Sequence, residues 1–137
     1  MTDLGEEIQK YDPSGMFGHI YRFPEQMEEA VAIGRGISLS GDYSGVKSVV
    51  FCGMGGSSIG GDIIVALVSR NMNTSVSVIR NYTLPAWIGK ETLVICVSYS
   101  GNTEETLASF DEAKSRGAAV AGISSGGELS RRLKQMD

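Results

Sequence analysis

"TLVICVSYSGNTEETLASF", Thr92 to Phe110, changes character twice. Thr92 to Val97 is a short run that is apolar on both faces of an extended chain, the mark of a central strand in a parallel sheet. From Thr103 to Ser115, Leu107, Phe110 and Ala113 recur at helical spacing. Between the two lie Ser98, Tyr99, Ser100, Gly101 and Asn102, a turn made of hydroxyls, a glycine and an amide. A strand, a hydroxyl-rich turn and a helix make one unit of an α/β sheet. The turn falls beyond the carboxyl end of the strand, where open sheets bind ligands.

The pattern repeats on both sides. Val49 to Cys52 is an apolar run ending in glycines, and Ile63 to Val68 follows as helix. Val76, Val78 and Ile79 give a second strand and Ala118 to Ile123 a fourth; Leu129, Leu133 and Met136 trace a closing helix. Alternating strands and helices predict an open, mostly parallel sheet with flanking helices and right-handed crossovers. Upstream, Pro24 opens a helix at its favoured first position, with Met27, Ala30, Val31 and Gly34 along one face. Residues 1–23, interrupted by glycines and by Tyr11, Phe17, Tyr21 and Phe23, are expected to form an irregular arm before a single domain over 24–137. Gly36 to Gly45 reads as a Gly/Ser connection. Because the sequence stops directly after its last helix, the sheet is expected to be incomplete at its C-terminal end, as in the front part of something larger.

Composition narrows the partners. A net charge of −4 with no Lys/Arg patch argues against nucleic acid, since little counterion release is on offer. No apolar run approaches the ~20 residues of a membrane span, and the acidic start MTDLGEEIQKYD lacks the apolar core of a secretory signal. Cys52 and Cys96 sit inside apolar runs far apart in sequence and read as reduced, buried thiols of a cytoplasmic protein. The only histidine, His19, leaves a His-based metal site or a Ser/His/Asp triad poorly supplied.

Three strands end in Gly/Ser loops: Gly53-Met54-Gly55-Gly56-Ser57-Ser58, Ser98 to Thr103, and Ser124-Ser125-Gly126-Gly127. In a parallel sheet all three share one edge. If the strands lie in the order second, first, third, fourth, the first two loops flank the switch point. Glycines let backbone N–H groups approach an anion, and a helix N-terminus adds partial positive charge. Ser57, Ser98, Ser100 and Thr103 add neutral donors, and neither of these two loops contains Lys or Arg. The chemistry fits modest, reversible binding of a small phosphorylated metabolite. A P-loop would need Gly-Lys-Ser/Thr, which is missing. A dinucleotide fingerprint would need glycine where Ser58 stands, although Gly60 and Gly61 follow, so nicotinamide binding stays open. A competing structural reading makes Asn102 and Glu105 a capping box, with Thr103 opening the helix.

Taken together, "GMGGSSIGGD", "RNYTLPAWI" and "SYSGNTEET" resemble the N-terminal sugar isomerase (SIS) domain of the bifunctional phosphoglucose/phosphomannose isomerases, from about Asp12 to "GISSGGEL". The resemblance implies a flavodoxin-like three-layer fold. It puts Gly55 and Gly56 in the substrate loop, and Ser57, Ser98, Ser100 and Thr103 on the sugar phosphate. The implied reaction, part of glycolysis and gluconeogenesis, interconverts glucose 6-phosphate or mannose 6-phosphate with fructose 6-phosphate through a cis-enediol, with no metal or organic cofactor. The family's arginine, glutamate base, histidine and lysine lie beyond Asp137, so no catalytic residue is assigned in this chain. Serine and threonine hydroxyls are not bases unless a base stands beside them. The chain, an excised domain or a truncated product, is therefore expected to bind without turnover. A non-catalytic phosphosugar sensor is the alternative.

Other residues have plainer readings. His19 lies outside any matching motif. Glu104 and Glu105 complement the helix dipole, and Asp62 is a helix residue of the same kind. Trp87 and Tyr82 are expected as packing anchors, Arg80 reaches either the ligand edge or solvent, and Arg131 and Arg132 line a solvated helix face. An unpaired sheet edge and uncovered apolar faces predict a homodimer or higher oligomer.

Overall fold

Periodicity and structure agree from the Pro24 helix onward, save that the helix expected from Ile63 already starts at Gly56; they diverge over residues 4–21. The computed structural model describes residues 4–38 and 41–136. Its elements are α1 (Leu4–Tyr11), α2 (Met16–Tyr21), α3 (Phe23–Arg35), β1 (Ser48–Cys52), α4 (Gly56–Val68), β2 (Ser75–Ile79), β3 (Thr92–Val97), α5 (Glu104–Ser115), β4 (Ala119–Ile123) and α6 (Gly127–Leu133). The chain divides into two units at Gly41–Asp42. The helix opened by Pro24 thus groups with the segment before it, not with the sheet. Residues 39 and 40 of the Gly/Ser connection, residues 1–3 of the acidic start and Asp137 lie outside the described residues.

Residues 4–21 form two helices, α1 and α2, where an irregular arm was expected. For α2 the reason is Asp12. Its carboxylate accepts hydrogen bonds from the Met16 N–H (2.8 Å), the Phe17 N–H (2.6 Å) and the Ser14 hydroxyl (3.2 Å), satisfying the open amides that start α2. Those bonds, the one from Phe17 foremost, hold the Asp12 carboxyl below its ordinary range. The Phe17 and Tyr21 rings, one helical turn apart, stack at 6.3 Å. In α3, Pro24 sits in the first turn as its residue type predicts, and Met27 and Val31 remain exposed.

The second unit is a parallel sheet in the order β2-β1-β3-β4, as the loop argument requires. Val50 is in register with Val94 and Cys52 with Cys96. Side chains alternate along a strand, so these four share a face. They are buried there with Phe110 and Ala113 of α5, Leu129 of α6, and Leu84 and Ile88 of the β2–β3 connection. Burial pushes the Cys52 thiol up to about 11 and raises Cys96 as well, which suits inert core thiols. On the opposite face α4 lies so close that a Cβ at Gly61 would come within 2.9 Å of Phe51 and Val78. The remainder of that face, Leu93, Ile95 and Val97, is only half-buried, and Ile123 beside it is exposed.

The β2–β3 connection corrects one expectation. Trp87 and Tyr82 are 56 % and 49 % exposed, and the anchors are Leu84 and Ile88. Glu112 of α5 and Arg116, the residue just after that helix, fix the backbone there. Glu112 accepts from the Leu84 N–H (2.7 Å), while Arg116 donates to the carbonyls of Pro85 (2.6 Å) and Leu84 (3.2 Å) and pairs with Glu112. Held this way, the loop turns its aliphatic side chains inward and leaves its aromatics outside. Arg131 and Arg132 are likewise more than a solvated face: both clasp Glu128, and Arg132 also reaches Asp111. The hydrogen bonds from Arg131 and Arg132 draw the Glu128 carboxyl down to about 2. Among the described residues no helix is long and apolar enough to cross a membrane.

Candidate functional site

Parallel strands with this order bring the loops after β1, β3 and β4 to one edge, and hydrogen bonds join them there. The Tyr99 N–H donates to Ser57 Oγ (3.4 Å), which ties the third strand's loop to the first. The Ser125 N–H and hydroxyl both donate to the Tyr99 carbonyl, which ties in the fourth. A cavity of about 610 Å³ opens over this junction, lined by Gly56, Ser57, Tyr99, Ser124 and Ser125, with Val97 and Ile123 as its apolar wall.

The hydroxyls have distinct stations. Ser57 is half-buried on the cavity wall; its oxygen accepts from Tyr99, so its own proton remains free to donate. Ser100 is exposed, and its oxygen accepts from the Asn102 N–H (3.2 Å), which again leaves a donor. Ser98 is only 1 % exposed: its oxygen accepts from the Gly101 N–H (3.1 Å) and lies 2.8 Å from Thr103 Oγ1. When Ser98 donates across that contact, the half-buried Thr103 is the hydroxyl with a proton to spare. Of the four, Ser57 alone lines the cavity; Ser98 is buried under the turn before α5, and Ser100 and Thr103 belong to that turn, outside the cavity lining. Ser57 and Ser100 accept from backbone while keeping a proton, the arrangement an anion needs from neutral hydroxyls.

Two of these loops each lead into a helix. Neither α4, which starts at Gly56, nor α5, which starts at Glu104, has a side-chain cap. Gly55, at φ 53° and ψ −130°, makes the turn into α4 in a conformation that glycine adopts and other residues resist. The capping-box reading of Asn102 and Glu105 is overturned. Thr103 is the residue that enters α5, its hydroxyl turns to Ser98, and Asn102 Oδ1 accepts from the Glu128 N–H of α6 (3.0 Å). Asn102 therefore links two loops instead of capping its own helix.

Sequence reasoning missed Tyr99, Ser124 and Ser125 as cavity residues. The Gly/Ser loop after β4 gave the signal for the two serines, whereas the bonds that tie Tyr99 to Ser57 and Ser125 run through its backbone, which no side-chain pattern reveals. Arg80 lies beside the first loop, its Nε donating to Ser58 Oγ (2.8 Å) and its Nη2 pairing with Asp62. Of the remaining candidates, His19 belongs to α2 in the first unit, and Glu104 lies near the Tyr82 hydroxyl (3.5 Å).

Residues 42–132 match the SIS domain. The bifunctional phosphoglucose/phosphomannose isomerase of Caldicellulosiruptor bescii is 44 % identical over 114 residues, 83 % of this chain and 34 % of the relative. That of Aquifex aeolicus is 46 % identical over 95 residues, 69 % of this chain and 30 % of the relative. A crystal structure from Bacillus subtilis, titled as a candidate phosphosugar isomerase, superposes with a TM-score of 0.56 at 27 % identity, covering 65 % of this chain and 29 % of that one. The chain thus spans about a third of the length of the relatives it matches.

Proposed function

The chain belongs to the SIS domain family and is homologous to the bifunctional phosphoglucose/phosphomannose isomerases, and on that premise we propose that it binds the phosphate of a hexose 6-phosphate. The substrates in this reading are glucose 6-phosphate, mannose 6-phosphate and fructose 6-phosphate, interconverted by the complete isomerase through a cis-enediol. Ser57, Ser100 and Thr103 give hydrogen bonds to the phosphate, Ser98 orients Thr103, and the backbone at Gly55 and Gly56 lets the ligand approach. The observation that carries the reading is the Tyr99–Ser57 hydrogen bond, which joins the β1 and β3 loops into one set of donors. Their neutrality sets the strength: a few uncompensated hydrogen bonds support a Kd on the order of 1 mM.

The chain alone binds without turnover in this proposal. Moving a proton between C1 and C2 needs a positioned base. The described residues that line the cavity bring glycines, serines, Tyr99 and aliphatic side chains, and no carboxylate, imidazole or amine. Titration with fructose 6-phosphate and with NAD, followed by a coupled assay for isomerisation, checks both points. Saturable binding of the sugar phosphate without NAD binding or turnover is the expected result; NAD binding alone would overturn the reading. The buried free thiols Cys52 and Cys96 support a reducing, cytoplasmic setting.

Self-association completes the proposal. β2 and β4 are the outer strands among the described residues, and the apolar face at Leu93, Ile95 and Val97 is half-covered. Sedimentation at rising concentration is expected to give a dimer or larger species, and a monomer throughout would refute it.

A further inference from the structure

Arg80 is the first residue after β2, and its guanidinium crosses to the loop after β1. Nε donates to Ser58 Oγ at 2.8 Å, and Nη2 pairs with Asp62 one helical turn further along α4. Ser58 is a buried side chain, and its own proton goes to the Gly55 carbonyl at 2.8 Å. The three groups form a relay: guanidinium to hydroxyl, hydroxyl to carbonyl.

The far end of that relay matters because of peptide geometry. In a trans peptide the carbonyl and the following N–H point in opposite directions. Holding the Gly55 carbonyl toward Ser58 therefore turns the Gly56 N–H the other way, and Gly56 lies on the cavity. Gly55 sits at φ 53°, and no heavy atom lies within 4 Å of the place its Cβ would occupy, so its surroundings do not wedge the peptide. Its carbonyl is held from Ser58, by the N–H at 3.2 Å and the hydroxyl at 2.8 Å, and the shorter of the two is the one Arg80 supports.

We propose that Arg80 is a positioning residue for the phosphate loop. Through Ser58 it locks the Gly55–Gly56 peptide with its N–H presented to the anion, while Asp62 fixes the plane of the guanidinium. The inference rests on the phosphate-binding reading above and extends it: a site whose donors are neutral is organised by a charged pair behind it. Lysine cannot substitute, because a single ammonium lacks the fork that serves Ser58 and Asp62 together.

The test compares Arg80→Ala, Arg80→Lys, Ser58→Ala and the Arg80→Ala/Ser58→Ala double variant by nitrogen-15 NMR titration with fructose 6-phosphate. The amide heteronuclear NOE of Gly56, which reports how rigid its peptide is, is recorded first, without ligand. Each single variant is expected to lower that NOE and to weaken binding roughly tenfold, with the double variant no weaker than either single one. Arg80→Lys keeps the charge and is expected to behave like Arg80→Ala. Additive losses, or rescue by lysine, would mean that the guanidinium acts on phosphate as a charge and would overturn the relay. Unchanged affinity in the Arg80 variants, with the natural chain still binding, would overturn this inference alone. If the natural chain fails to bind fructose 6-phosphate, the functional reading falls, and the Gly56 heteronuclear NOE then decides whether Arg80 orders the loop.

Discussion

Gly101→Ala is expected to cost the sheet unit about 3–5 kcal/mol, enough to unfold most of it at moderate temperature. Gly101 adopts φ +71°, which alone strains any L side chain. The space around it adds a second penalty. A Cβ there would fall onto the carbonyl oxygen of Gly126 and within 2.8 Å of Ser124 Oγ. Neither neighbour is free to withdraw: the Leu129 N–H donates to the Gly101 carbonyl (2.9 Å), and Ser124 Oγ donates to the Gly126 carbonyl (2.8 Å). Backbone stacked on backbone leaves no rotamer to change. At roughly 4–8 °C per kcal/mol for a domain of this size, the melting temperature falls on the order of 15–30 °C. Thermal unfolding followed by near-ultraviolet circular dichroism measures it. Gly126→Ala is the control: its φ of 162° is extended backbone and its Cβ would meet open space, so a change within about 0.5 kcal/mol is expected. An unaltered melting temperature in Gly101→Ala would show that the β3 and β4 loops are not interlocked.

That interlock also marks where sequence stops being informative. β3 was legible to the residue because Thr92 to Val97 is apolar on both faces, and only a central parallel strand needs that. The order β2-β1-β3-β4 was legible as a condition for two loops to meet at one edge. α1 and α2 were not: α2 is started by the Asp12 carboxylate, which accepts from amides four and five residues on, and the glycines at 5, 15 and 18 hide the period. The anchors in "RNYTLPAWI" were misread because a loop has no face: size favoured Trp87 and Tyr82, while Glu112 of α5 and Arg116 at its C-terminal cap decided for Leu84 and Ile88.

At the site, composition identified the loops but could not rank their hydroxyls. Ser98 and Ser100 are equivalent in a list of donors, yet the turn at Gly101 buries one and exposes the other. The role of Asn102 was equally invisible, since its partner amide at Glu128 lies 26 positions away. Contacts at that separation are set by topology, and topology has no local signature.

Ser57→Asp is expected to abolish measurable sugar-phosphate binding while leaving the fold intact. Ser57 is the second residue of α4, and its oxygen accepts the Tyr99 N–H. A carboxylate can accept that same hydrogen bond, and it suits a helix N-terminus by about 0.3–1 kcal/mol. The protein is therefore expected to melt at the same temperature or slightly higher. For the ligand the sign reverses. A phosphate entering a cavity lined by Ser57 would meet a fixed negative charge in place of a hydroxyl proton. Like charges at such a distance cost several kcal/mol, and about 3 kcal/mol is a loss of roughly 100-fold. Ser57→Ala removes only one neutral hydrogen bond and is expected to weaken binding no more than about tenfold. The pair separates charge from packing, because the larger loss comes with the more stable protein. Chemical-shift titration with fructose 6-phosphate reads the affinity, and thermal unfolding reads the fold. If Ser57→Asp binds as well as the natural chain, the anion sits elsewhere, and the junction of the β1 and β3 loops is a structural clasp without a ligand.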